Sequence, residues 1–265
     1  MCGRFYVSEA ELDDFAALID GIEKDLLKPR PNRASAADIV PGDFAPVLVS
    51  MPETKHLDGI AGLPVLSVPV GIRVFSWGFP SPQGKGRIIN TRAESVTEKP
   101  LFRLPFASHR CLVPARGFYE WSDANESDES PLPAAEDEPL QMSMEGLFSV
   151  SPPSAKSPAG RQTDSHKRKQ PRIRHRFYRT DGRMLLMAGI YWNFRLSVSE
   201  SVIAFTILTT AANSDVSPVH DRMPLLLEEK ERNMWLGAAR IETLLPFLVP
   251  PRDGTLCRER MQSGS

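Results

Sequence analysis

The chain has 265 residues, 41% of them hydrophobic, enough to bury one large core or two modest ones, and one domain carrying an insertion is the expected organisation. A formal net charge of -1 excludes a generally basic nucleic-acid coat and leaves room for a local basic groove. Cys2, Cys111 and Cys257 are odd in number and spaced unlike any zinc pattern, so neither a disulfide framework nor a metal site is expected, and a reducing compartment fits. No apolar run reaches the length of a membrane span and the N-terminus lacks the regions of a signal peptide, so the expectation is a soluble, intracellular protein without membrane contact.

In chain order, SEAELDDFAALI sets Ser8 three residues ahead of Glu11, a capping box, and puts Leu12, Phe15, Ala16 and Ile19 on one face of a first helix. Short stretches rich in Val, Ile and Phe and punctuated by Pro or Gly follow: FAPVLVSM, VLSVPVGIRVFSWGF, RIIN, RCLVPARGFYEW, RMLLMAGIYW and VIAFTILTT. These read as strands of a β-rich core. EEKERNMWLG and RIETLLPFLV read as two short helices, the second closed by Pro250 and Pro251. The layout is α+β, most of it sheet and loop, with no internal repeat.

Between Trp121 and Phe177 the composition turns to Ser, Pro and charge, with too few apolar residues to offset the entropy of ordering. This reads as a mostly disordered insertion between two core strands. It is acidic from Asp123 to Glu138 and basic from Arg161 to Arg176, so its charges largely cancel. A solvated hairpin tip is its plain reading. HKRKQPRIRHR as a nucleic-acid tail or nuclear-type signal rests on a weakly specific pattern.

The chemistry begins at MCGRF. Loss of Met1, common ahead of a small second residue, would leave the α-amine and thiol of Cys2 on adjacent carbons. Such a 1,2-aminothiol condenses with an aldehyde through its amine and then closes a thiazolidine ring through its thiol, which an internal cysteine cannot do. Both groups titrate near neutrality, at roughly 7.7 to 8 and 8.5. An N-terminal cysteine also serves as acyl acceptor in amidases, its own amine acting as base. Three further segments offer polar partners: Asn90, Arg92 and Glu94 in INTRAES, Glu120 in GFYEW, and His220 and Arg222 in VHDRMP. Taken singly, Asn90 reads equally as a turn former, Glu120 as an exposed strand residue and His220 as a satisfied loop histidine. The aromatic flanks of Glu120 suit a proton donor with a raised pKa.

MCGRF, WGFP, INTRAES, EKPLFR, RCLVPARGFYEW, AGIYW, FTILTTAAN and HDRMP together resemble the SRAP family of abasic-site processing proteins, also labelled SOS-response-associated peptidases. The resemblance implies a compact β-rich α+β domain with peripheral helices over 1–250, interrupted by the insertion at about 122–174, and a flexible tail over 251–265. It implies a protein that binds single-stranded DNA and links Cys2 to the ring-opened aldehyde of an abasic site in the DNA damage response. Asn90 would position the amine and the sugar, Glu120 would handle protons in ring opening and reversal, and His220 would assist Schiff-base chemistry. Arg4, Arg92 and Arg222 would hold phosphates, and Trp77 and Pro41 would offer an apolar surface for bases. Neither a cofactor nor a metal is implied. A weak lyase activity is a natural side reaction of an uncaptured Schiff base, and the peptidase label leaves hydrolysis open.

The sequence departs from the family in reading NTRAE where NARAE is common, and in the insertion that directly follows GFYEW. The expected protein is a monomer, cytoplasmic and nucleoid-associated when bound to DNA, or nuclear for a eukaryotic source. Competing readings are a glutamine amidotransferase beginning Cys-Gly, from which RFYVS departs; an N-terminal-cysteine peptidase or amidohydrolase; and a non-covalent single-strand binder with a structural Cys2.

Overall fold

The computed structural model describes residues 2–17, 27, 38–51, 70–123, 172–237 and 239–261. Strand β1 (Phe5–Tyr6) leads into helix α1 (Glu9–Ala17), and β2 (Asp38–Ile39) and β3 (Phe44–Ser50) precede β4 (Val70–Trp77). Three short strands follow, β5 (Phe79–Pro80), β6 (Arg87–Ile88) and β7 (Asn90–Arg92), then a 3-10 turn at Ala93–Ser95 and helix α2 (Pro100–Ser108). β8 (Arg110–Ala115) and β9 (Gly117–Asp123) lead to the insertion, and β10 (Arg172–Arg179), β11 (Leu185–Arg195), β12 (Ser201–Ala211) and β13 (Arg222–Pro224) come after it. The chain continues through α3 (Glu229–Leu236), the single turn α4 (Ile241–Leu244) with a 3-10 turn at Leu245–Phe247, and β14 (Leu256–Arg260). The main unit comprises Met1–Ser122 and Ile173–Ser265; Asp123–Arg172 form a second unit. The expectation of disorder falls on residues 124–171 of that second unit and lies outside the described residues.

β11, β8, β3, β4 and β12 pair in that order, and β12 pairs back with β11, so five strands close into a barrel. Closure leaves these strands no free edge along the paired stretches. Val47, Leu48 and Val49 of β3 and Cys111, Leu112 and Val113 of β8 are all buried, so these strands read as continuous apolar runs rather than alternating ones. One buried cation holds the helices outside β8: Arg110 donates to Phe106 O and Ala107 O at the end of α2, and to Trp235 O and Gly237 O at the end of α3, at 2.6 to 2.9 Å. These are the carbonyls that a helix terminus leaves without intrahelical donors.

A second sheet runs β14-β10-β9-β1-β2. Phe5 of β1 lies opposite Ile39 on one side and Phe118 on the other. Phe5, Ile39, Phe118, Phe177 and Leu256 form its buried row, and each wholly buried ring contributes roughly 1.5–3 kcal/mol. The opposite face carries Tyr6 and Tyr119, with Arg174 over Tyr119 at 5.1 Å and Arg176 over Tyr6 at 5.7 Å. Gly117 opposes Tyr6, and a Cβ there would stand 2.6 Å from the tyrosine ring. The two-residue N-terminal strand is therefore an interior strand of a sheet, and the start of the chain, which ordinarily frays, is pinned.

The first helix carries its capping box: Ser8 N donates to Glu11 Oε2 at 2.9 Å and Glu11 N to Ser8 Oγ at 3.3 Å. Of its expected apolar face, Phe15 is buried and Ile19 lies outside the described residues. Three expectations need correction. The end of the basic run is strand β10, in which His175 and Phe177 turn inward while Arg174 and Arg176 turn out, a period of two hidden by the charge density. The tail expected to be flexible from 251 contains β14, whose residues Leu256 to Arg260 pair with Arg179 to His175. The last expected helix is shorter than RIETLLPFLV suggests: α4 is one turn and runs into the 3-10 turn containing Pro246. PLFRLPFAS, for which no element was expected, forms α2, with Pro100 in its first turn and Pro105 inside it.

Candidate active site

Cys2 lies just ahead of β1 and is wholly buried. The pairing that pins β1 extends to it: Tyr119 N donates to Arg4 O at 3.0 Å, and the Cys2 thiol approaches the same carbonyl at 3.6 Å. Asn90, first residue of β7, donates from Nδ2 to Cys2 O at 2.8 Å. Its Oδ1 is buried and has no hydrogen-bond partner among the described residues. Glu120 of β9 is 2% exposed, buried with Phe118 and Tyr119 beside it, so it is not an exposed strand carboxylate. Burial first, and the nearby Glu120 carboxylate second, push the Cys2 thiol far above its ordinary value, so it is held neutral. Cys2 and Glu120 are thus buried near one another, and half-buried Asn90 is hydrogen-bonded to Cys2.

β12 brings the second group to β7. It pairs in parallel with β7, Ile207 opposite Asn90 and Thr209 opposite Arg92, and antiparallel with β13, Ala211 opposite Arg222. Arg92 is exposed. Between Asn90 and Arg92, Thr91 turns inward, its hydroxyl 3.4 Å from that of Thr206, so the departure from NARAE supplies one half of a buried hydroxyl pair. Both terminal nitrogens of Arg222 are engaged: Nη1 and Nη2 donate to the two carboxylate oxygens of Glu94 at 2.6 and 2.8 Å, and Nη2 also donates to Thr209 O at 2.6 Å and reaches Thr209 Oγ1 at 3.4 Å. The guanidinium holds the Glu94 carboxyl below its ordinary range. His220 accepts the Arg222 backbone N–H at Nδ1, 2.9 Å, while Asp221 Oδ1 stands 2.8 Å from the same nitrogen. The two contacts make opposite demands on Nδ1; the Asp221 side chain is 82% exposed and can turn to water, whereas the Arg222 N–H is fixed by the backbone, so the neutral ring is assigned with Nδ1 as acceptor and the proton on Nε2.

The remaining expected residues divide. Arg4 is partly exposed and pairs with Asp38 at 3.2 Å. Pro41 is exposed in a turn closed by Asp43 N to Val40 O at 3.0 Å, where Gly42 takes φ 92°, the glycine position that follows proline in a type II turn. Trp77 is not on the surface. It is wholly buried between Phe5 and Phe205, its indole N–H donating to Ile89 O at 3.1 Å, so it has no face to offer a base and serves the core. Glu94 and Asp38, the partners of two expected phosphate-holding arginines, had no role assigned from sequence; only the place of Glu94 inside INTRAES pointed to it. Among the described residues no group of three or more His, Cys, Asp or Glu could hold a metal. No helix there is long and apolar enough to cross a membrane.

Fold and site define a β-barrel protein whose candidate nucleophile is buried at the head of an interior N-terminal strand. The family model for SOS response associated peptidase (SRAP) matches residues 1–166 and 162–260, and the chain belongs to that family. It is similar to the abasic site processing protein YoaM of Bacillus subtilis, 24% identical over 242 residues that cover 89% of this chain and 79% of the relative. It is also similar to the abasic site processing protein YedK of Escherichia coli, 26% identical over 238 residues, with the same coverage of 89% and 79%. A crystal structure of a protein from Bacteroides thetaiotaomicron shares the fold with a TM-score of 0.62 at 18% identity, covering 98% of this chain and 92% of that one.

Proposed function

We propose that the protein recognises abasic sites in single-stranded DNA and shields them by a covalent thiazolidine link through Cys2 after Met1 is removed. The observation that carries this reading is the grouping of buried Cys2 and Glu120 with half-buried Asn90, whose amide holds the Cys2 carbonyl. Glu120 passes a proton to the ring oxygen while the anomeric hydroxyl gives one up, so the closed sugar opens to its aldehyde with no net gain or loss of protons. The freed amine of Cys2 attacks the aldehyde carbon, water leaves, and a Schiff base forms. The thiol then adds across the C=N bond, its proton passing to the nitrogen, and the five-membered ring closes. Atoms balance with loss of one water, and no oxidant, reductant or nucleotide is consumed.

Asn90 supports the first bond-forming step. Its Nδ2 fixes the carbonyl side of Cys2, and its buried Oδ1 is an acceptor suited to the amine. A thiol held neutral suits a sequence in which the amine attacks first and sulfur follows. Arg92 and Arg4 are the partly or fully exposed cations suited to phosphates. Incubating the processed protein with an abasic single strand and resolving it by denaturing electrophoresis tests the reading. A slow-migrating DNA band is expected with the native chain and with Cys257→Ala, and its loss with Cys2→Ala; a band that survives Cys2→Ala overturns it.

A further inference from the structure

We propose that Glu94 is a positioning residue for this cross-linking reaction, holding the histidine segment against β7 through Arg222; the inference rests on the function proposed above. Glu94 belongs to the 3-10 turn directly after β7, two residues beyond Arg92 and four beyond Asn90. Arg222 opens β13 and lies on the other flank of β12. The bidentate bridge between them is a side-chain tie that closes β7 and β13 over β12, and Thr209 O adds a further bond at 2.6 Å with Thr209 Oγ1 at 3.4 Å. The Arg222 side chain is only 13% exposed, against 49% for Glu94, so it sits in a desolvated place where loss of the counter-charge is costly. The backbone N–H of that same arginine fixes His220. Glu94 therefore governs the orientation of the ring expected to assist the Schiff-base chemistry, and acts on it through Arg222.

Without the carboxylate, Arg222 keeps only the Thr209 carbonyl and hydroxyl oxygens and its guanidinium turns toward solvent. The first residue of β13 loosens, and the N–H that selects the His220 tautomer moves off Nδ1. Nitrogen-15 NMR of the imidazoles in the DNA-free protein reads this directly, alongside single-turnover adduct formation and affinity for an undamaged single strand. The native protein is expected to show the Nε2–H tautomer at His220 and Glu94→Ala a mixture. Adduct formation by Glu94→Ala should slow by about tenfold, with affinity for undamaged strand changed by less than about threefold. Glu94→Asp, which keeps the charge, should recover most of the rate, and Glu94→Gln serves if Glu94→Ala fails to fold. An unchanged tautomer, or a fall in affinity that accounts for the whole fall in rate, overturns the proposal. Absence of any adduct with the native protein would instead remove the cross-linking reading and leave the tautomer result standing.

Discussion

Asn90 Nδ2 donates to the carbonyl oxygen of Cys2 at 2.8 Å, across 88 positions of sequence. One amide side chain thereby ties the start of the chain to β7, the strand that β12 links to the His220 segment. The bond depends on a donor at that place, which an aspartate cannot supply.

Asn90→Ala and Asn90→Asp are both expected to slow adduct formation by about 10²-fold, because the reacting cysteine loses its fixed orientation. Rapid-quench kinetics on an abasic oligonucleotide check this. Native rates for Asn90→Asp would show that the donated bond is not what matters.

Glu120→Gln keeps the shape of the side chain and removes the titrating proton. Formation of the adduct should slow by roughly 10²-fold, and release should slow with it, since one catalyst lowers the barrier in both directions. Affinity for undamaged strand should stay unchanged. Separate time courses for formation and release decide the matter; an effect on binding alone would take Glu120 out of the chemistry.

How far the sequence foretold this site depends on the kind of residue. Cys2 and Glu120 drew attention because an aminothiol and an aromatic-flanked carboxylate each have a chemistry of their own, whereas Asn90, which alone reads as a turn former, came forward through the resemblance of INTRAES to the family. Trp77 was not: a tryptophan on a strand reads the same whether it faces solvent or the core, and its burial between Phe5 and Phe205 is set by how the second sheet meets the barrel. Glu94 is only one polar residue of INTRAES, with no role of its own, until the chain brings Arg222 to it from 128 positions away. In β10, charge at Arg172, Arg174 and Arg176 masked the inward His175 and Phe177. Strand β14 was hidden for a related reason, since LCRER has one buried residue, Leu256, and takes its order from the edge it pairs with.

Buried thiols set an alkaline limit on stability. Burial raises the Cys111 thiol well above its ordinary value of 9.0. The unfolded chain then loses a proton above about pH 9 that the folded chain keeps, so the contribution is present below that pH and lost as pH rises, by about 1.4 kcal/mol per pH unit. Tyr119, pushed up to about 12 by burial and Asp38, joins the same limb from its ordinary value of 10.0. Denaturant melts at pH 8, 9 and 10 should show the decline, and Cys111→Ala should make it shallower. An equal slope in the variant would contradict the assignment.

Arg110→Lys is expected to lower the unfolding free energy by roughly 2–4 kcal/mol, because a point charge with three donors cannot span the ends of two helices as the planar guanidinium does. Chemical denaturation measures this, and adduct formation per folded molecule should stay at the native level. A loss within about 0.5 kcal/mol, the range of ordinary surface changes, would mean that water replaces the guanidinium at those carbonyls.

The proposed covalent link between Cys2 and the abasic sugar distinguishes this protein from a reversible binder, and intact mass detects it. Purified protein should have the mass of the chain less Met1. After incubation with an abasic single strand, a single new species should weigh that protein plus the oligonucleotide less one water. Peptide mapping should place the link at Cys2, with no free thiol remaining there. A retained Met1 with no adduct, or an adduct joined at a lysine, at Cys111 or at Cys257, would contradict the account.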